Sequence, residues 1–316
     1  MKTRRAIGSQ AARNVLGIEI GGTKLQIVLG SRTGQIRERH RFNVNPLRGG
    51  IGIRRAIASA LPALLKTGQP KAIGVGFGGP VDWRTGKICC SHQIKGWSKF
   101  ELGPWLRELS GLPVAVDNDA NVAALGEACC GAGQAANPVF YVTLGSGVGG
   151  GLVVDQAIYH GDTPGESEIG HIRLDRTGTI VEDRCSGWAV DRRIRALKAA
   201  GATGELVRLS AADTQGEARH LAAALAAQDP EARRILTETA QDLAFALSHV
   251  THLFHPQVIV LGGGLSLLGE PLRAAVARHL PDFVMSAFSG GPEVRLAGLE
   301  EDSVPVGALR LAAKAR

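Results

Sequence analysis

The sequence predicts an α/β protein built from two related halves, on three observations. Apolar strand-like runs alternate with segments of helical spacing along most of the chain. A strand, glycine-turn, strand unit occurs twice, at VLGIEIGGTKLQIVLG and VFYVTLGSGVGGGLVVD, about 125 residues apart. Glycines, 42 in 316 residues, are about twice the ordinary share. They gather at strand ends, where the chain needs tight turns or backbone that approaches a ligand closely.

After a basic, polar leader of about 14 residues, expected to be flexible, the first of these units reads as a hairpin, and SRTGQ as the next turn. GIRRAIASALPALLKTG has helical spacing, KAIGVGFGGPVD is a short buried strand ending in a Gly-Pro turn, and LPVAVDND is a further apolar strand. DANVAALGEACCGAG begins on Asp or Asn residues of the kind that cap helices, runs through helix formers and stops at glycine. Asp119 therefore falls near a strand-to-helix junction. The second hairpin follows, then a long helical tract over roughly 217–253, the apolar strand HPQVIVLGGGLS, and a closing helix VPVGALRLAAKA. These elements suggest a first domain over 15–118, joined by the closing helix at 304–316, and a second over 119–303. A length of 316 residues suits two domains.

Composition excludes several classes. At 44% hydrophobic and 21% charged residues the chain has ample material for a core and is not intrinsically disordered in bulk. No apolar run approaches the roughly 20 residues of a membrane span, and no apolar segment follows the basic start, so neither membrane nor secretion is expected. The five cysteines, Cys89-Cys90, Cys129-Cys130 and Cys185, lack C-x-x-C spacing and suit a reducing cytoplasm. A net charge of +7 suits nucleic acid, acidic lipid or a phosphate-bearing molecule. Segments such as Asp191-Arg192-Arg193 read as ordinary helix surface, which favours the small phosphate compound over a nucleic-acid stripe.

Three strand-glycine junctions share a chemical use: Gly21-Gly22-Thr23-Lys24, Gly145-Ser146-Gly147 and Gly262-Gly263-Gly264. Bare amides there can reach phosphate oxygens that side chains would block, so a nucleotide is the natural guest. None is a Walker A loop or a clean dinucleotide fingerprint. Taken in order, GIEIGGTK, VDNDAN, LGSGVGGG, ESEIGH and VIVLGGGLS resemble the ROK sugar kinases of the actin-like ATPase (ribonuclease H-like) fold, over nearly the whole chain after the leader.

The resemblance implies two domains, each a five-stranded mixed sheet flanked by helices, around a cleft for ATP with Mg²⁺ and a hexose. Gly21, Gly22, Thr23 and Lys24 would wrap the β- and γ-phosphates, Gly145, Ser146 and Gly147 the phosphates from the other domain, and Gly262, Gly263 and Gly264 would face the adenosine. Glu19 stands where the family commonly has the Asp that holds Mg²⁺ through water, and one extra methylene still leaves an oxygen ligand for a hard cation. Asp119 would accept the proton of the attacking hydroxyl, although Asp117, Asn118 and Asp119 are all also apt helix caps. Gly79, Asn118, Glu168 and His171 would contact the sugar, the last two sharing a face if their segment is a helical turn; Gly161, Pro164 and Gly165 would shape its pocket.

One departure from the family matters. Zinc-bearing members follow EIGH with a C-x-C-G-x-x-G-C-x-E loop, whereas HIRLDRTGTIVEDR has no cysteine, and Cys185 alone cannot complete a four-coordinate site. No zinc is expected. Alignment of the following CSGWAVDRRI places Glu182 on the loop's final Glu, a sugar contact in the family, with a first-turn helix acid as the alternative reading. Hydrogen bonds within the shortened loop would then hold the His171 ring. The implied activity is transfer of the ATP γ-phosphoryl to a hexose, glucose O6 first, by a cytoplasmic enzyme. Sugar and ATP are its expected partners, without nucleic acid or membrane, and a homodimer is left open. A catalytically silent sugar-binding protein and a sugar-responsive transcriptional regulator remain alternatives. The regulators of the family carry an N-terminal winged helix-turn-helix, for which the leader is too short.

Overall fold

Seven mostly buried residues, Asn14–Ile20, start the first sheet as β1. In the computed structural model, residues 14–22, 24–91 and 95–315 are described, so the basic leader and Thr23 lie outside the described residues. β1 pairs antiparallel with β2 (Lys24–Ser31), and β2 with β3 (Ile36–Asn43). Helix α1 (Gly49–Gly68) buries Ile53, Ile57, Leu61 and Leu64 at helical spacing before β4 (Ile73–Phe77) returns parallel to β1. The short pair β5 (Val81–Asp82) and β6 (Lys87–Ile88) and helix α2 (Leu102–Ser110) lead to β7 (Val114–Asn118), parallel to β4. The sheet order is β3-β2-β1-β4-β7. Such β-α-β connections bring the carboxyl ends of β1, β4 and β7 together, with Glu19, Gly76 and Asp117 in register.

Helix α3 (Asp119–Cys130) follows, then β8 (Val139–Leu144), β9 (Val148–Val154) and β10 (Ala157–Ile158). Helices α4 (Val181–Cys185), α5 (Gly187–Ala199), α6 (Glu205–Leu209), α7 (Leu221–Ala226) and α8 (Pro230–Phe254) precede β11 (Val258–Gly262). Helix α9 (Glu270–His279), β12 (Glu293–Leu296) and α10 (Ser303–Ala312) close the chain. The second sheet runs β10-β9-β8-β11-β12, with β8, β11 and β12 parallel. It repeats the first sheet's order of hairpin followed by parallel strands, as the duplicated unit predicts. This doubled arrangement of five-stranded mixed sheets is the actin-like ATPase fold.

The expected tract at 217–253 is three pieces: a 3₁₀ turn at Glu217–His220, then α7, then α8. Gln228 at φ 62° breaks it. Asp229 then starts α8 afresh by accepting from Ala232 N, and Pro230, which lacks an N–H, takes the first helical turn.

Two compact units emerge: residues up to Ala135 with Gly151–Ser167 and those from Gly298 onward, and Ala136–Gly150 with Glu168–Ala297. The break drawn at 118/119 from the sequence differs from this division, because α3 packs on α10, in the first unit. Glycine makes that contact. A Cβ on Gly307 would lie 1.8 Å from Val122 O, and one on Gly126 2.3 Å from Ser303 O. Part of the glycine excess therefore serves backbone approach between helices rather than a ligand. Glu127, wholly buried, fixes the entry to α10 by accepting from Gly298 N (3.0 Å), Leu299 N (2.9 Å), Ser303 Oγ (2.7 Å) and Ala132 N (2.8 Å).

Candidate active site

In the first unit the predicted residues gather at the carboxyl ends of β1, β4 and β7. The β1–β2 turn is closed by Gly21 N donating to Lys24 O (2.8 Å). Glu19 projects from β1, accepts a short hydrogen bond from Gln26 Nε2 and lies 3.8 Å from Lys24 Nζ. Burial pushes its carboxyl above the ordinary 4.5, against the pull of Lys24 and Gln26. Gly78, after β4, donates to Ile20 O at 2.8 Å. A Cβ placed on it would lie 3.4 Å from Asp119 Oδ2 and 3.6 Å from Gly21 Cα. The Asp119 carboxylate and the first glycine turn are therefore neighbours across Gly78.

Asn118, among the three apt residues, is the helix cap. Its Oδ1 accepts from Ala120 N (2.8 Å) and Asn121 N (3.3 Å), and its Nδ2 donates to Gly79 O (3.2 Å). Gly79 is at φ 149°, a region that excludes most side chains. With the cap taken by Asn118, Asp119 accepts Ala120 N through Oδ1 (2.9 Å), and its Oδ2 lies toward Gly78.

Sequence reasoning passed over what lies behind this turn. Asp117, 2% exposed, accepts from Asn118 N (2.8 Å) and Asn121 Nδ2 (2.9 Å), and pairs with His160 Nε2 at 2.6 Å. Trp83 stacks on His160, ring centroids 4.1 Å apart and planes 15° apart. The only sequence signal was an Asp two residues before the candidate base, read as one more capping residue.

In the second unit, Gly145 N donates to Gly147 O (2.9 Å) and Gly145 O accepts from Gly187 N (2.8 Å), which ties the β8–β9 turn to the start of α5. Glu182, in the first turn of α4, accepts from Val148 N at 2.9 Å. A Cβ on Gly147 would fall 2.4 Å from its Oε2, so a side chain there would displace the Glu182 carboxylate. Glu182 is thus a brace of the phosphate hairpin as well as a candidate sugar contact.

Glu168 and His171 flank the buried pair Ile169–Gly170 on a 3₁₀ turn, where residues three apart eclipse. A Cβ on Gly170 would meet Val148 O at 2.1 Å, which seats the turn against β9. Both side chains are exposed. Contrary to expectation, no hydrogen bond from the described residues holds the His171 ring. The shortened loop is instead a small hairpin, with Arg173 bridged to Ile180 and Val181 N donating to Ile172 O. Asp175 closes it, accepting from Thr177 N, Thr177 Oγ1, Gly178 N and Thr179 N at 2.6–3.2 Å. Those bonds, from Thr177 first, hold its carboxyl far below the usual range. Cys185 is fully buried and its Sγ faces Thr239 O at 3.7 Å; burial pushes the thiol strongly up, away from the thiolate a metal needs.

Gly262 ends β11 and Gly263 turns at φ 81°. A Cβ on Gly262 would lie 2.2 Å from the Tyr141 hydroxyl oxygen. Beside them lies a cavity of about 450 Å³ lined by Gly145, Ser146, Gly264 and the apolar Leu144, Trp188, Ala222, Leu265, Leu267 and Leu268. Its wall at 213–220 is pinned by buried acids: Asp191 accepts from Gly216 N and Ala218 N, and Glu217 pairs with Arg195 (2.8 Å) and Lys198 (3.3 Å). Asp191 is 5% exposed and Arg193 half-buried, so within Asp191-Arg192-Arg193 only Arg192 is the solvated surface the composition suggested. The structure thus groups Glu19, Gly21, Gly22, Lys24, Gly79, Asn118 and Asp119 in one unit, and Gly145–Gly147, Glu168, His171, Glu182 and Gly262–Gly264 in the other.

Paired sheets of one topology, each with a glycine hairpin at strand ends, define an actin-like ATPase class. The chain belongs to the ROK family, whose model matches residues 15–315. It is 33% identical to a glucokinase of Halalkalibacterium halodurans, with 92% of each chain covered. A ROK family glucokinase from Streptomyces griseus, solved with glucose and AMPPNP, superposes with a TM-score of 0.82 at 29% identity, covering 96% of this chain and all of that one. A ROK family transcriptional regulator shares the fold at a TM-score of 0.85 and 20% identity, covering 99% of this chain and 83% of its own. No helix among the described residues is long and apolar enough to cross a membrane.

Proposed function

We propose that this ROK family member is an ATP-dependent hexose kinase that transfers the γ-phosphoryl group to a sugar hydroxyl, with glucose O6 as the first acceptor to test. The observation that carries the reading is the Asp119 carboxylate, relieved of capping by Asn118 and set across Gly78 from the Gly21 turn. A kinase needs such a carboxylate next to its phosphate cradle to take the hydroxyl's proton as the phosphoryl moves. Asn118, Gly79, Glu168, His171 and Glu182 supply donors and acceptors for a polyol. Relatives named glucokinases, at 33% identity and in a glucose complex, favour a hexose.

The remaining residues divide the other tasks. Lys24 and the bare amides at Gly21–Gly22 and Gly145–Gly147 neutralise phosphate charge. The apolar cavity beside Gly264, with Trp188 at its rim, suits a purine. Glu19 fits a hydrated cation through one oxygen: Gln26 occupies Oε2, while Oε1 stands 3.8 Å from Lys24, outside hydrogen-bond range. Mg²⁺ held there through water would screen the β- and γ-phosphates. Measured ADP release with ATP, across glucose, fructose, mannose and their N-acetylamino forms, tests the reading: turnover on one hexose is expected, and none on any would refute it. The regulator reading is favoured by nothing in the site beyond shared fold.

A further inference from the structure

We propose that His160 is a positioning residue for the reaction, setting the Asn118–Asp119 turn through the buried Asp117 carboxylate. The inference rests on the reading of Asp119 as the base. Asp117 is the residue on which the turn hangs: one oxygen accepts both Asn118 N and Asn121 Nδ2, and the other meets His160 Nε2. At 2% exposure, water offers that carboxylate little compensation, so His160 decides where it sits. His160 is itself fixed from two sides. Trp83 covers its ring face, and a Cβ on Gly165 would stand 2.7 Å from His160 Cβ. Asn121 Nδ2 also donates to Gly165 O (2.8 Å), which ties the same loop to the same helix turn a second time.

The chain of contacts therefore runs from the loop at 160–165, expected to shape the sugar pocket, to the helix turn that carries the base. Removing the Nε2 donor leaves a buried carboxylate unpaired, and the N–H of Asn118 is the bond it would pull out of place. Displacement of a reacting group by about 1 Å costs on the order of 10²-fold in rate.

Gln and Asn variants separate this role from packing, because a Gln amide reaches the place of Nε2 and an Asn amide only that of Nδ1. Steady-state kinetics with the best hexose and ATP, on full-length protein, should give a kcat lowered on the order of 10- to 100-fold in His160→Asn. The KM for ATP should be unchanged, and most of the rate should return in His160→Gln. Amide hydrogen exchange, which needs no turnover, should be faster at Asn118, Ala120 and Asn121 in His160→Asn and near wild type in His160→Gln. An unchanged kcat in His160→Asn, equal losses in the two variants, or a lower melting temperature without faster exchange at those amides would each overturn the proposal. If Asp119→Asn alone retains turnover while the exchange pattern holds, the base reading has failed and the His160 positioning of the turn has not.

Discussion

Replacing Asp119 by Asn exchanges a carboxylate for a carboxamide of the same shape, and the structure separates its effect on folding from its effect on chemistry. The α3 cap belongs to Asn118, which holds Ala120 N and Asn121 N whatever stands at 119. The 2.9 Å bond from Ala120 N to Asp119 Oδ1 survives with an amide oxygen as acceptor. What folding loses is one negative charge in the first helical turn, ~0.3–1 kcal/mol, a melting shift of ~1–4 °C. What chemistry loses is the proton acceptor, ~10²–10⁴ in kcat, or ~3–5 kcal/mol of barrier at 1.36 kcal/mol per decade. The second loss exceeds the first several-fold, so a stable, sugar-binding, nearly inactive protein is expected. Coupled ADP release gives kcat, calorimetric titration gives the sugar Kd, and a thermal scan gives stability. Turnover within a factor of about ten of wild type, below the general-base range, removes Asp119 from the role. A melting shift well beyond that range shows that Asp119 supports the fold instead.

Further consequences follow from individual contacts. Glu182→Gln keeps an acceptor for Val148 N but loses the charge, so the sugar KM should rise by roughly 10-fold, in line with a charge-assisted hydrogen bond, at unchanged stability; unaltered KM and kcat would reduce Glu182 to a brace of the hairpin. Glu127→Ala removes the acceptor shared by Gly298 N, Leu299 N and the buried Ser303 hydroxyl, and denaturant titration should register a loss of about 3 kcal/mol. Burial acts to raise the Asp229 carboxyl, but the backbone donors Leu206 N and Ala232 N outweigh it and hold the group below its ordinary 3.8. Its folded value is depressed, so its stabilisation is present above about pH 4 and lost as pH falls through the folded value. Asp229→Ala should therefore cost ~1–2 kcal/mol at neutral pH, and the gap to wild type should narrow on acidification; a gap constant down to pH 2 would contradict this. Elemental analysis of protein purified without chelator should find no stoichiometric zinc, given a buried, high-pKa Cys185; one zinc per chain would refute that expectation.

The amino-acid sequence by itself determined the doubled architecture, because strand alternation, turn glycines and capping residues act over a few neighbours, and the two hairpins announce themselves at Gly21–Gly22 and Gly145–Gly147. It also located Asp119 at a strand-to-helix junction, since residue types that cap helices mark the junction wherever they fall. Tertiary structure decided which of Asp117, Asn118 and Asp119 does what. The cap went to Asn118, the buried anchor to Asp117 and the half-buried place facing Gly78 to Asp119, because His160, 43 residues away, claims Asp117, and Gly79 claims the Asn118 amide. Likewise Asp191 reads from sequence as ordinary helix surface, and only the return of α10 and of the 213–220 wall shows Glu127 and Asp191 buried on backbone donors. Local spacing fixes what a residue can do next to its neighbours in the chain. Which carboxylate remains available for chemistry depends on donors that distant segments bring, and that is a property of the packed fold.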